Sequence, residues 1–95
     1  MVREIAVFRT HEGQAEAFVE AYGGVANILA DAEGSEGASL HRGVEDPGSF
    51  TLIVEWDSVE AHTALTQQPE FGGFGDAVGP HLAGQPEVSH VETVA

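Results

Sequence analysis

Val54-Glu55-Trp56-Asp57-Ser58-Val59-Glu60-Ala61-His62 is the stretch on which the rest of the chain is organised. Upstream of it, Phe50, Leu52, Val54 and Trp56 alternate with Thr51, Ile53 and Glu55, a period of two that defines a strand with one strongly apolar face. At Asp57 the period changes. Asp57 with Glu60 three positions on has the pattern of a helix-capping box, so a helix is expected to begin there and run to about Gln67. His62 then falls between Val59 and Leu65, on the arc that should face the sheet.

Working back from Phe50, Glu45-Asp46-Pro47-Gly48 reads as a tight turn and Ala38–Val44 as the strand before it, so the two strands form a hairpin. Asp31–Gly37 reads as an acidic, glycine-bearing loop. Before it, from about Gln14 to Ala30, Phe18, Val19, Tyr22, Val25, Ala26 and Leu29 share one helical arc, with Glu12, Glu16 and Glu20 on another. Gly23-Gly24 lies outside the apolar stripe, costs roughly 1 kcal/mol per glycine against alanine, and leaves room for a kink. The first strand is expected from Glu4 to Arg9, with Ile5 and Val7 on one side and Ala6 and Phe8 on the other. Apolar residues on both sides suit a central strand.

Working forward, Pro69 can open a second helical piece as its first residue, with Phe71, Phe74, Val78 and Leu82 along one side and Gly79-Pro80 as the stop. Glu87–Val94 is expected to form the last strand. The element order is therefore β-α-β-β-α-β with the second α in two pieces. That is the order of the ferredoxin-like α+β fold, with an antiparallel sheet and the helices on one face. The other face needs a cover, which a second copy of the chain would supply.

The 95 residues make a single domain, 1–95, expected to bury only ~60–65% of its unfolded surface. The formal charge is −13, with three Arg, no Lys and no basic residue of either kind after Arg42. Such a surface repels phosphates and anionic headgroups, so nucleic acid and membrane are not expected partners. With no cysteine there is no disulfide framework, thiolate metal site or thiol nucleophile. The strand pattern begins at Met1-Val2-Arg3-Glu4-Ile5, and no apolar run approaches membrane length, so a cytoplasmic protein without a signal peptide is expected.

His62 has two readings: a core imidazole with its hydrogen bonds satisfied, or the titratable wall of a cavity. Trp56, Phe71 and Phe74 nearby would give such a cavity a flat aromatic lining, and the Trp56 indole N–H, if buried, needs an acceptor. Gly72, Gly73 and Gly75 weaken the helix that carries the two phenylalanines by on the order of 3 kcal/mol, which suits either a gate or a loose connector plugging the core. His41 and His90 fall on strands at the two edges of a ferredoxin-like sheet and would meet across a dimer; His11 and His81 read as loop residues. No two histidines have the i,i+4 spacing of a helical zinc site, and G-x-S-x-G is absent, so no metal centre or serine triad is expected.

At Val54–His62 the chain resembles the antibiotic biosynthesis monooxygenase family. Arg42-Gly43-Val44-Glu45-Asp46-Pro47, Pro69-Glu70-Phe71, Val78-Gly79-Pro80 and Pro86-Glu87-Val88-Ser89-His90 agree in order and spacing, so the resemblance covers nearly the whole chain. It implies a homodimer closed as a dimeric α+β barrel. It also implies a cofactor-independent oxygenase that oxidises a small aromatic quinol, phenol or anthrone-like substrate with O₂. On that reading His62 is the catalytic base or donor, while Trp56, Phe71, Phe74 and Leu65 are the substrate-binding candidates. Two alternatives stand beside it: a non-catalytic dimer binding a small apolar ligand, and a haem-binding or haem-degrading protein. The haem-degrading relatives use an Asn on the first strand, a Trp and a His; the corresponding Trp and His positions here are Leu65 and Gly75, and the first strand has no Asn, which disfavours haem.

Overall fold

The computed structural model describes Met1–Ala95. Four strands and three helices follow one another as β1 (Val2–Arg9), α1 (Ala15–Ala30), β2 (Ser35–Arg42), β3 (Ser49–Trp56), α2 (Val59–Thr66), α3 (Pro69–Val78) and β4 (Glu87–Val91), with a 3₁₀ turn at Gly79–His81. The sheet order is β2-β3-β1-β4 and every pairing is antiparallel. The ferredoxin-like order read from the sequence is the order observed, with β1 central and β2 and β4 at the edges.

One face of the sheet is the core. Ala6 and Phe8 of β1 join Phe50, Leu52, Val54 and Trp56 of β3, and Phe18, Tyr22 and Leu29 of α1 close over them with Leu65, Phe74 and Val78. Ile5, Val7, Thr51 and Ile53 point the other way and are half-buried, with no helix over them. At one end Phe18 sits between Phe8 and Phe50, with ring centroids 5.6 Å and 4.9 Å away.

The handover from β3 to α2 differs from expectation in its cap. Ser58, not Asp57, is the N-cap: its backbone is extended (φ −160°, ψ 164°) and its hydroxyl accepts from the Ala61 N–H at 3.2 Å. Asp57 lies one residue early, because its own N–H donates to the Gly34 carbonyl at 2.8 Å. Gly34 has φ +85°, and a Cβ there would lie 2.6 Å from the Cβ of Ala61, so only glycine brings this turn against α2.

Other boundaries also moved. β2 starts at Ser35, inside the expected loop, through a bulge between Ser35 and Gly37, and it ends at Arg42 rather than Val44. β4 stops at Val91, where its pairing with Arg3 of β1 ends. α1 runs through Gly23-Gly24 as one helix, its buried Phe18, Tyr22 and Leu29 spanning the glycine pair. Tertiary packing of the apolar stripe outweighs the propensity cost. All three arginines are ion-paired: Arg3 with Glu55, Arg9 with Asp46, and Arg42 with Glu16.

Candidate active site

Strand register brings a carboxylate into the core. Glu4 shares its side of β1 with Ala6 and Phe8, stands opposite Val54 of β3 and His90 of β4, and is only 4% exposed. A buried carboxylate is costly unless partners hold it. Trp56, wholly buried at the end of β3, donates its indole N–H to Glu4 Oε1 at 2.9 Å. His62, one turn into α2, stacks on the Trp56 indole with centroids 5.2 Å apart and planes 12° from parallel. That stack places His62 Nε2 3.4 Å from the same Glu4 oxygen. On its other side, His62 Nδ1 lies 2.8 Å from Nε2 of His90, a hydrogen bond in which either ring can hold the proton. The second Glu4 oxygen has no hydrogen-bond partner within the chain.

Burial holds the His62 imidazole below the ordinary histidine value; the Glu4 charge works against that and His90 adds to it. The net lowering leaves His62 largely neutral at neutral pH, the form in which an imidazole can accept a proton.

Glu4 and His62, with His11, Thr66 and Gln85, form the polar part of the wall of a cavity of about 880 Å³. The sheet contributes Ala6, Phe8 and Leu52 to it, and α3 contributes Phe71, Phe74 and Val78. Phe71 and Phe74 lie with ring planes 12° apart and centroids 6.1 Å apart. The segment Ala83–Pro86 and Val88 of β4 form the rim beside the sheet edge. Glu4 is the one formally charged residue of the lining, and no Arg or Lys faces the space. No group of three or more His, Asp or Glu side chains is placed to hold a metal ion.

Three of the five residues singled out from the sequence therefore meet at this cavity: His62, Phe71 and Phe74. Trp56 and Leu65 are not in its lining. Trp56 lies buried beside it and acts on it through Glu4, and Leu65 borders a separate cleft between α2 and the turn at Gly34. His41 and His90 do occupy opposite edge strands, but His90 is bound to His62 of its own chain and His41 Nε2 lies 2.8 Å from Ser39 Oγ. His11 also lines the cavity, and His81 Nδ1 lies 2.9 Å from Gln14 Oε1.

The residue the sequence reading passed over is Glu4. Its signal was present: with Ala6 and Phe8 it forms a period-two row, so a carboxylate on the core face was implied once that face was known. The unpaired donor of Trp56 was the complementary clue.

Fold and site together define a ferredoxin-like α+β protein with an apolar pocket holding one buried acid–imidazole pair. Comparison with known proteins makes the class specific. The family model described as "Antibiotic biosynthesis monooxygenase" matches residues 1–77, and the chain belongs to that family. The match ends before β4, so His90 lies beyond it. YczJ of Bacillus subtilis, an uncharacterised protein, is 35% identical over 63 residues, which is 66% of this chain and just under two thirds of that one, also 66%. A solved structure from Bordetella bronchiseptica, provisionally named an antibiotic biosynthesis monooxygenase, is 29% identical and superposes with a TM-score of 0.94 over 99% of this chain and 97% of the other. A mutant of SnoaB from Streptomyces nogalater, described as a cofactor-independent oxygenase, shares the fold at a TM-score of 0.81 and 22% identity, covering 97% of this chain and 91% of that one.

Proposed function

We propose that the protein is a cofactor-independent monooxygenase that oxidises a small aromatic substrate (a phenol, quinol or anthrone-like compound) with O₂ in the cavity under α3. The observation that carries this reading is a buried carboxylate and a neutral imidazole set side by side in the wall of a mainly apolar cavity. Family membership and the likeness in fold to SnoaB support it. The lining bears no Arg or Lys and one acid, so it suits a neutral ligand with an acidic O–H or C–H and disfavours an anion.

For an anthrone-like substrate the chemistry balances without a bound cofactor. The Glu4–His62 pair takes a proton from the methylene carbon and the electron pair stays on the substrate as an enolate. The enolate passes one electron to O₂, and the two radicals combine into a carbon-bound peroxide. Loss of the remaining C–H with cleavage of O–O leaves a carbonyl, and the departing hydroxide takes the first proton back. The sum is CH₂ + O₂ → C=O + H₂O. An apolar surround favours the first steps, since water would compete for the acid and the anion.

The test is O₂ uptake on addition of anthrone or menadiol. Wild-type protein is expected to consume O₂ above the uncatalysed rate, and His62→Ala to lose most of that activity. Absence of protein-dependent uptake, or full activity in His62→Ala, would sink the mechanism. One observation favours a second reading. Both His62 nitrogens face groups of the chain itself, which leaves no free imidazole nitrogen for a ligand. A non-catalytic small-molecule carrier would bind anthrone saturably with no O₂ uptake.

The protein works as a homodimer on this reading, because half-buried Ile5, Val7 and Ile53 leave an apolar sheet face that a second copy can cover. Sedimentation equilibrium giving a monomer at micromolar concentration would remove that part.

A further inference from the structure

We infer that Glu4, through the oxygen not tied to Trp56, is the group that takes the substrate proton, and that the His62–His90 pair is where that proton is held until it is returned. This rests on the monooxygenase reading and divides the labour within its acid–imidazole pair.

The geometry separates the candidates. His62 lines the cavity, yet its Nε2 faces Glu4 at 3.4 Å and its Nδ1 faces His90 at 2.8 Å. Glu4 has one oxygen held by the Trp56 indole at 2.9 Å, with His62 Nε2 3.4 Å from it, and its other oxygen is without a partner in a residue that lines the cavity. A carboxylate anchored at rest by one oxygen presents the second in a defined direction, which is what a proton acceptor in an apolar site needs. Behind it, two imidazoles sharing a hydrogen bond can take up one proton between them.

The transfer is balanced at each stage. The substrate C–H breaks, an O–H forms on Glu4, and the electron pair remains on the substrate. A half-turn of the carboxyl group then brings that O–H to His62 Nε2, which takes the proton because the neutral ring carries its hydrogen on Nδ1. The imidazolium so formed donates that Nδ1–H to His90 Nε2. When the peroxide O–O bond cleaves, the proton returns along the same route to the hydroxide, and the chain is reset. Glu4 is thus the catalytic residue, and His62 and His90 act through it as the store for its proton. The groups facing His62 are Glu4 from β1, Trp56 from β3 and His90 from β4; no other charged side chain contacts its ring.

Two measurements on the full-length protein test this apart from oxygenation. The first is deuterium exchange at the methylene of anthrone in D₂O under argon, where no oxidation can follow. Wild-type protein is expected to speed the exchange, and Glu4→Gln, which keeps the acceptor for Trp56, to slow it by ~10²–10⁴-fold. The second is the titration of the histidine ring resonances by NMR without ligand. Glu4→Gln is expected to lower the His62 midpoint and His90→Ala to raise it. The low-pH limb of the exchange rate should move up with the midpoint in His90→Ala. That variant lies on an edge strand, so its readings stand even if Glu4→Gln does not fold. Exchange that Glu4→Gln slows, without O₂ uptake by wild type in air, would support the assignment of Glu4 while overturning the oxygenase reading. O₂ uptake with exchange unchanged in Glu4→Gln would overturn the assignment and leave the oxygenase reading intact. No exchange in wild type, or a His62 midpoint indifferent to both substitutions, would also overturn it.

Discussion

The core face of the sheet has two ends built on opposite principles. At one, Phe8, Phe18 and Phe50 interlock with no polar atom among them. At the other, Glu4, Trp56, His62 and His90 form a chain of polar contacts next to an open cavity. Both ends are served by the same two strands, since β1 carries Phe8 at one end and Glu4 at the other, and β3 carries Phe50 and Trp56. The phenylalanine end stabilises by removing apolar surface from water. The polar end gains little net stability from its hydrogen bonds, because each replaces one made to water. Its burial makes sense as a site, where a carboxylate and an imidazole are kept from solvent and aimed.

Substitutions at each end should therefore fail in different ways. The largest loss is expected at the phenylalanine end: Phe18→Ala, at a wholly buried position, should cost about 3–5 kcal/mol in urea unfolding with little effect on the histidine titrations. A cost under about 1 kcal/mol would mean that end is not the main source of stability. Trp56→Phe keeps an aromatic under His62 but removes the donor to Glu4, and should cost about 1–3 kcal/mol. Unlike Phe18→Ala, it should also move the His62 midpoint. Ser58→Ala, at the cap between the strand end and α2, should cost about 1 kcal/mol. The corresponding change at Asp57 should cost less, because Asp57 makes no side-chain cap bond.

The smallest effect is a pH dependence carried by the polar end alone. His62 has a lowered folded value, so between that value and the unfolded value of about 6.5 the unfolded chain binds the extra proton. The His62 contribution is complete above about pH 6.5 and is lost as pH falls through the folded value. His62→Phe should flatten that part of the profile of melting temperature against pH, whereas Phe18→Ala should displace the whole profile downward and keep its shape. A His62→Phe profile parallel to wild type would show that the imidazole does not titrate differently in the folded state.

Much of the fold was legible because its signals are local. Alternation from Phe50 to Trp56 marks a strand and its buried face without any knowledge of the partner strands, and Pro69 marks a helix start by its missing N–H. The inward turn of His62 also follows from its place on a helix of known start. What failed locally failed for tertiary reasons. Asp57 and Ser58 are both good capping residues, and the choice fell to Ser58 because the Asp57 N–H is bound by the carbonyl of Gly34, far back in the chain. Gly23-Gly24 stayed helical because the apolar stripe around it packs on the sheet.

The candidate site divides along the same line. Element order, the core face of β3 and the place of His62, Phe71 and Phe74 around one space are written in spacing and periodicity, which depend only on neighbours along the chain. The meeting of Glu4 with Trp56, 52 positions away, and of His62 with His90, 28 positions away, depends on strand register and on how α2 lies across the sheet. A shift of one residue in β1 would turn Glu4 out to the opposite face, and nothing short of the assembled sheet selects one register over the other.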